Sequence, residues 1–177
     1  MRTFQLVILA LMILIISACT QEQELVVRNN STADAWVRLN NGSERYVLPQ
    51  SSTSFSINSP QMANLQYHGL HILPGNILVD MEVTGSQYLS LEPNCGALKL
   101  LNTSSRQITS LKVTQAGTNN WSQNLLKRAL YPQNFEYFSL SPGPYDLKIQ
   151  DQQNNYFYIT AKQISIDITT NHTFSGL

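Results

Sequence analysis

The stretches PQSSTSFSI (residues 49–57) and PQNFEYFSL (residues 132–140) obey one pattern: Pro-Gln, four variable positions, Phe-Ser, then Ile or Leu. Upstream, Val26-Val27-Arg28-Asn29-Asn30-Ser31 parallels Leu100-Leu101-Asn102-Thr103-Ser104, and AWVRL (35–39) parallels ITSLKV (108–113). One such match is within the reach of chance. Three in the same order predict an internal duplication, each copy running strand, Asn/Ser turn, strand, loop, Pro-Gln turn, strand. The copies differ chiefly in one loop, residues 40–45 in the first and 114–128 in the second.

Around these anchors the residue pattern is that of strands. Tyr145, Leu147 and Ile149 alternate with Asp146, Lys148 and Gln150; Ile164, Ile166 and Ile168 alternate with Ser165, Asp167 and Thr169. Ile77, Val79, Met81 and Val83 do the same against Asp80 and Glu82. Successive side chains of a strand point to opposite faces, so period two predicts antiparallel sheets with one buried and one wet face. Turn formers recur at Asn40-Asn41-Gly42, Pro74-Gly75-Asn76, Thr84-Gly85-Ser86, Ser141-Pro142-Gly143-Pro144 and Asn154-Asn155. That spacing belongs to a sandwich or barrel of about seven strands per copy. Residues 121–128 (WSQNLLKR) read as one or two helical turns at most. The expected fold is all-β: two tandem small immunoglobulin-like antiparallel β-sandwich repeats, residues 25–93 and 97–177. Units of this size bury a modest core, so the copies are expected to pack on each other near residues 91–98. One larger sandwich built from both halves is the rival.

The chain has 177 residues, 11 basic and 11 acidic, with 12% charged, against about 25% in an average domain. A nucleic-acid partner is not expected, because phosphate neutralisation needs a basic surplus. Two cysteines cannot build a disulfide-dense scaffold.

The N-terminus is an address. Arg2 precedes an unbroken apolar run over residues 6–16. Eleven residues are too few to span a bilayer, which takes about 20, but suit a signal peptide. The run ends in Ile16-Ser17-Ala18-Cys19, which resembles the lipobox of bacterial lipoproteins, with Ile16 where Leu is commonest. The resemblance implies a signal peptide over residues 1–18, cleavage between Ala18 and Cys19, and acylation of the Cys19 thiol and its new amine. Each buried CH2 of an acyl chain contributes about 0.8 kcal/mol, so two or three chains hold a protein at a membrane. Thr20 stands where inner-membrane retention usually has Asp, which implies the outer membrane in a Gram-negative cell and otherwise the outer face of the cytoplasmic membrane. Residues 19–24 would be a lipidated tether. Cys95 then has no partner. It lies in the turn-like Pro93-Asn94-Cys95-Gly96 without a basic neighbour to lower its pKa, and is expected as a partly buried junction residue.

A second resemblance covers residues 121–151: Trp121, Asn124-Leu125-Leu126, Leu130-Tyr131-Pro132, Phe138-Ser139-Leu140 and Pro142-Gly143-Pro144-Tyr145-Asp146-Leu147 are similar to a recurring segment of bacterial secreted proteins. It implies an extracytoplasmic β-sandwich module and no particular activity. Relatives usually have a Gly in the turn after the last Asp, where this chain has Gln152 to Asn155.

Candidate chemistry is sparse. His68 and His71 are three apart, so on a strand they face opposite ways, and no metal site is expected there; both read as exposed loop histidines. His172 reads as a surface residue. There is no Gly-x-Ser-x-Gly nucleophile elbow, no paired carboxylates set for glycoside hydrolysis and no EF-hand loop, so neither catalytic residues nor a cofactor is expected. Aromatics are plentiful. In Tyr156-Phe157-Tyr158 consecutive rings point to both faces, so at least one lies outside the core. The long loop and its flank (Trp121, Asn124, Tyr131) form the candidate binding loop, since loops carry recognition. The expected function is a lipid-anchored cell-envelope module that binds an envelope protein or a glycan without catalysis. A structural or assembly component is the alternative, and a hydrolytic enzyme the third reading. The sequence is silent on oligomeric state.

Overall fold

The structure, a computed structural model, describes residues 23–57, 62–81 and 85–176. The signal sequence, Ala18, Cys19, Glu82 and Val83 lie outside the described residues. Thirteen strands are described and no helix. The first repeat holds β1 (Gln23–Asn29), β2 (Ala35–Leu39), β3 (Arg45–Val47), β4 (Ser52–Ile57), β5 (Met62–Gly69), β6 (Gly75–Asp80) and β7 (Ser86–Leu91). The second holds β8 (Gly96–Asn102), β9 (Ile108–Gln115), β10 (Phe135–Leu140), β11 (Gly143–Asp151), β12 (Tyr156–Ile164) and β13 (Thr169–Phe174). Each repeat is a two-sheet sandwich: β4-β1-β7 over β3-β2-β5-β6, and β10-β8-β13 over β12-β11-β9. Among the described residues no sheet draws strands from both halves.

Alternation builds the cores. Leu25 and Val27 of β1 and Phe55 of β4 meet Val37 and Leu65 of the facing sheet. In the second repeat Leu98, Leu100 and Phe138 meet Leu111, Leu147 and Ile149. The duplication extends to polar detail. Asn29 and Asn102 end the first strand of each copy fully buried. Asn29 Nδ2 donates to the carbonyls of Ala33 (2.8 Å) and Val47 (3.1 Å), while its Oδ1 accepts from the Ser31 amide and hydroxyl. Asn102 repeats this with the carbonyls of Arg106 (2.7 Å) and Leu130 (3.0 Å) and with Ser104. Each Asn thus ties three chain segments together inside a core. Gln50 and Gln133 of the two Pro-Gln turns both adopt left-handed φ, 55° and 64°.

Four expectations need correction. The sheets are not purely antiparallel: β1 pairs parallel with β7, and β8 with β13, because the last strand of each copy returns beside the first. Residues 164–170 are not one strand. Ile164 ends β12 fully buried, whereas Ile166 and Ile168 are exposed in the turn before β13, where Asp167 takes a left-handed φ of 58°. Thr114 and Gln115 belong to β9, not to the loop. Residues 121–128 form no helix. The Ser122 and Leu125 amides donate to the Val113 and Leu111 carbonyls, so the segment runs along the free edge of β9 and covers it.

The Asp167 turn meets the first repeat. Its carboxylate Oδ1 accepts from the Thr32 amide (2.8 Å) and hydroxyl (3.0 Å) and lies 3.1 Å from His71 Nδ1. Thr169 Oγ1 is 3.0 Å from His71 Nε2. The Asp167 amide donates to the Cys95 carbonyl, and the Cys95 amide to His71. Cys95 is fully buried here, and burial pushes its thiol pKa up. Gly96 has no alternative at this crossing: a Cβ would collide with the Ser165 carbonyl oxygen.

Candidate functional site between the two repeats

The turn at Asp167 holds the second repeat against the rim of the first and leaves an open cleft of about 540 Å³ beside it. One wall is the outer face of β3-β2-β5. Register sets Trp36 opposite Tyr46 on one side and His68 on the other. The His68 ring stacks on Trp36 (centroids 5.3 Å, planes 10° apart), and Tyr46 meets it edge-on at 5.4 Å. Polar edges of this row are fixed in advance. The Tyr46 hydroxyl donates to Asp34, which together with partial desolvation and the carboxylate's charge raises the phenol pKa. His68 Nε2 lies 3.1 Å from Glu44 Oε1. The other wall is β10 of the second repeat. Ser139 donates to the Leu70 carbonyl at 2.8 Å, and Tyr137 lines the cleft. Tyr137 continues into Phe135 (edge-on, 5.4 Å), with Lys99 Nζ 4.3 Å from the Phe135 centroid. The result is an aromatic track crossing the junction, of a volume suited to a ligand. Flat apolar faces with hydrogen-bonding rims can hold a sugar ring or a peptide turn.

The residues singled out from sequence lie elsewhere. Asn124 is committed to the backbone: its amide donates to the Thr109 carbonyl, and its Oδ1 accepts from Leu111 (2.9 Å) and Leu126 (3.1 Å). It fastens the 121–128 segment to β9. Trp121 is half-buried, its ring 6.2 Å from Tyr158. Tyr131 is exposed on a different depression, shared with Arg128, Gln133 and Phe135. Neither tyrosine nor tryptophan of this set borders the inter-repeat cleft. His71 is a further correction: it is buried at the junction, not exposed, because Asp167 and Thr169 satisfy both ring nitrogens. His172 is half-buried, and desolvation and then Lys162 lower its pKa. Among the described residues no cluster of three or more His, Cys, Asp or Glu is placed to hold a metal ion. Trp36 and Tyr137 are two of many aromatics in the sequence and His68 reads there as a loop histidine, and nothing local marks the three as one surface, since β2, β5 and β10 are far apart in the chain.

No protein-family model matches the chain, and no curated protein matches it. Among solved structures it is similar to the minor pilin GBS52 of Streptococcus agalactiae (10% identity, 86% of this chain and 94% of that one, TM-score 0.32). It is also similar to a putative adhesin from Bacteroides ovatus (8% identity, 88% of each chain, TM-score 0.37). A third is the Bacillus anthracis TIE protein (11% identity, 87% of this chain, TM-score 0.33), of which the chain spans about a third. At such scores the fold rests on the strand order described above.

Proposed function

We propose that the protein is a lipid-anchored cell-envelope module that binds its partner, a glycan or an envelope protein, without catalysis, and that the cleft between the repeats is the contact site. The observation that carries this reading is the Tyr46–Trp36–His68 row facing Tyr137 across the junction. The Tyr46 hydroxyl and His68 Nε2 are already engaged with Asp34 and Glu44, so these two rings need little ordering on binding. The anchor rests on the lipobox resemblance at Ile16-Ser17-Ala18-Cys19, with cleavage after Ala18, acylation of Cys19, and Thr20 favouring an outer membrane. A structural or assembly role is the second reading. The hydrogen-bonded junction favours it, because a spacer needs stiffness.

The test compares wild type with Trp36→Ala/His68→Ala protein for retention on arrayed saccharides and on envelope extract. Both side chains stand on an outer sheet face, so the fold should survive. At least about tenfold weaker retention by the variant is expected, as for loss of central aromatic contacts. Equal retention contradicts the cleft. A silent cleft variant, beside a phenotype on deleting either repeat, favours the assembly reading. Cys19→Ser should abolish palmitate labelling; continued labelling contradicts the anchor.

A further inference from the structure

The outer face of β12-β11-β9 breaks a rule that the first repeat obeys. Lys112 of β9 and Lys148 of β11 lie directly opposite in register. Like charges in that position repel, with Cβ atoms about 5 Å apart. Neither lysine belongs to an ion pair among the described residues. In the first repeat the basic residue of the corresponding sheet, Arg38, stands opposite neutral Gln66 and donates to it through Nε at 3.0 Å. No carboxylate among the described residues offsets the pair, and proteins tend to break such local rules at functional sites.

Rings flank Lys148. Tyr158 lies opposite Lys148, and Tyr156 opposite Gln150. Lys148 Nζ is 4.5 Å from the Tyr156 centroid and 5.5 Å from that of Tyr158. Both tyrosines are more than half exposed, and the Trp121 ring meets Tyr158 edge-on at 6.2 Å. Ser110 and Gln150 supply neutral hydrogen-bonding groups in the same small depression. The second repeat as a whole is basic, with seven basic against four acidic residues over 97–177, while the first is acidic, with three against five over 25–93. Net neutrality of the chain conceals this.

The geometry points to an acidic polysaccharide, a carboxylate-bearing uronate chain, as the ligand of this face. Its carboxylates would sit at Lys112 and Lys148, and its sugar rings against Tyr156, Tyr158 and Trp121. A nucleic acid carries a phosphate at every nucleotide and suits a basic track, whereas Asp146 continues the β11 row beyond Lys148, its carboxylate bound to the Ala161 and Gly117 amides. This site is separate from the cleft and independent of its role.

The probe is polygalacturonate, with uncharged galactan and single-stranded oligonucleotide as comparators, in affinity electrophoresis at low and at physiological salt. Polygalacturonate should retard the protein. Lys112→Glu/Lys148→Glu should weaken binding at least tenfold, Tyr156→Ala/Tyr158→Ala severalfold, and Trp36→Ala not at all. Salt should weaken it, since ion pairs between exposed groups are screened by salt. Absence of retardation, equal binding by the lysine variant, equal retardation by galactan, or tighter binding of the oligonucleotide would each overturn the assignment.

Discussion

Asn29 and Asn102 show how much one side chain settles in this fold. Each sits where the first strand ends and fills its hydrogen-bonding capacity inside the core with carbonyls and with the amide and hydroxyl of a serine. Leaving such groups unsatisfied costs about 1–3 kcal/mol apiece. Asn102→Ala should therefore lower unfolding free energy by about 2–4 kcal/mol in urea titration. A loss below about 1 kcal/mol would mean that water replaces the clamp. The Asn-x-Ser spacing was legible as a repeat element, but not as a buried clamp, since Asn and Ser in a turn normally face water. Gly96 was likewise legible only as part of a turn; its need for a missing Cβ comes from Ser165, nearly 70 positions away in the chain.

Strands and turns account for what the sequence revealed and what it concealed. In β11 the pattern of Tyr145, Leu147 and Ile149 matches burial residue by residue, and Tyr156 and Tyr158 stand outside while Phe157 packs on Phe174. The isoleucines at 164, 166 and 168 carry the same period, yet only the first is buried. Alternation cannot register that Asp167 is drawn out of the sheet by Thr32 and His71 of the other repeat. Turn chemistry offers two tests. Gln133 holds a left-handed φ of 64°, and that conformation disfavours any residue with a Cβ by about 1–2 kcal/mol. Gln133→Gly should raise stability by up to about 1 kcal/mol, measured as a higher melting temperature; a lower one contradicts the strain. In the β11–β12 turn, burial works against the charge on Asp151, but the Asn155 side chain and amide, Arg106 and the Gln153 amide outweigh it and hold its pKa at about 2. That lies below the unfolded value of about 3.9. Its stabilising contribution is present above about pH 4 and lost as pH falls toward 2. Asp151→Asn should be less stable than wild type at pH 7, with the gap closing toward pH 2; a pH-independent gap would contradict this.

Two sandwiches joined edge to edge through Asp167, His71, Thr32 and Cys95 make a molecule with a concave junction. Asp167→Ala removes three contacts to the first repeat. It should convert one cooperative unfolding transition into two and broaden the small-angle scattering profile. An unchanged single transition would show that the sheets, not this turn, hold the repeats together. The tandem arrangement was legible from the repeat. The cleft was not, because its walls come from β2, β5 and β10, and because the loop with the most sequence character, residues 121–128, is spent on covering the edge of β9. The two tryptophans separate these surfaces: Trp36 lines the cleft and Trp121 lies on the opposite repeat's basic face. In Trp121→Phe protein all indole emission therefore reports the cleft. Titration with the envelope fraction that the wild-type protein retains should shift that emission saturably to shorter wavelength, and Tyr137→Ala should remove the shift. Saturable retention of the fraction with no change in Trp36 emission would contradict the cleft as the binding site.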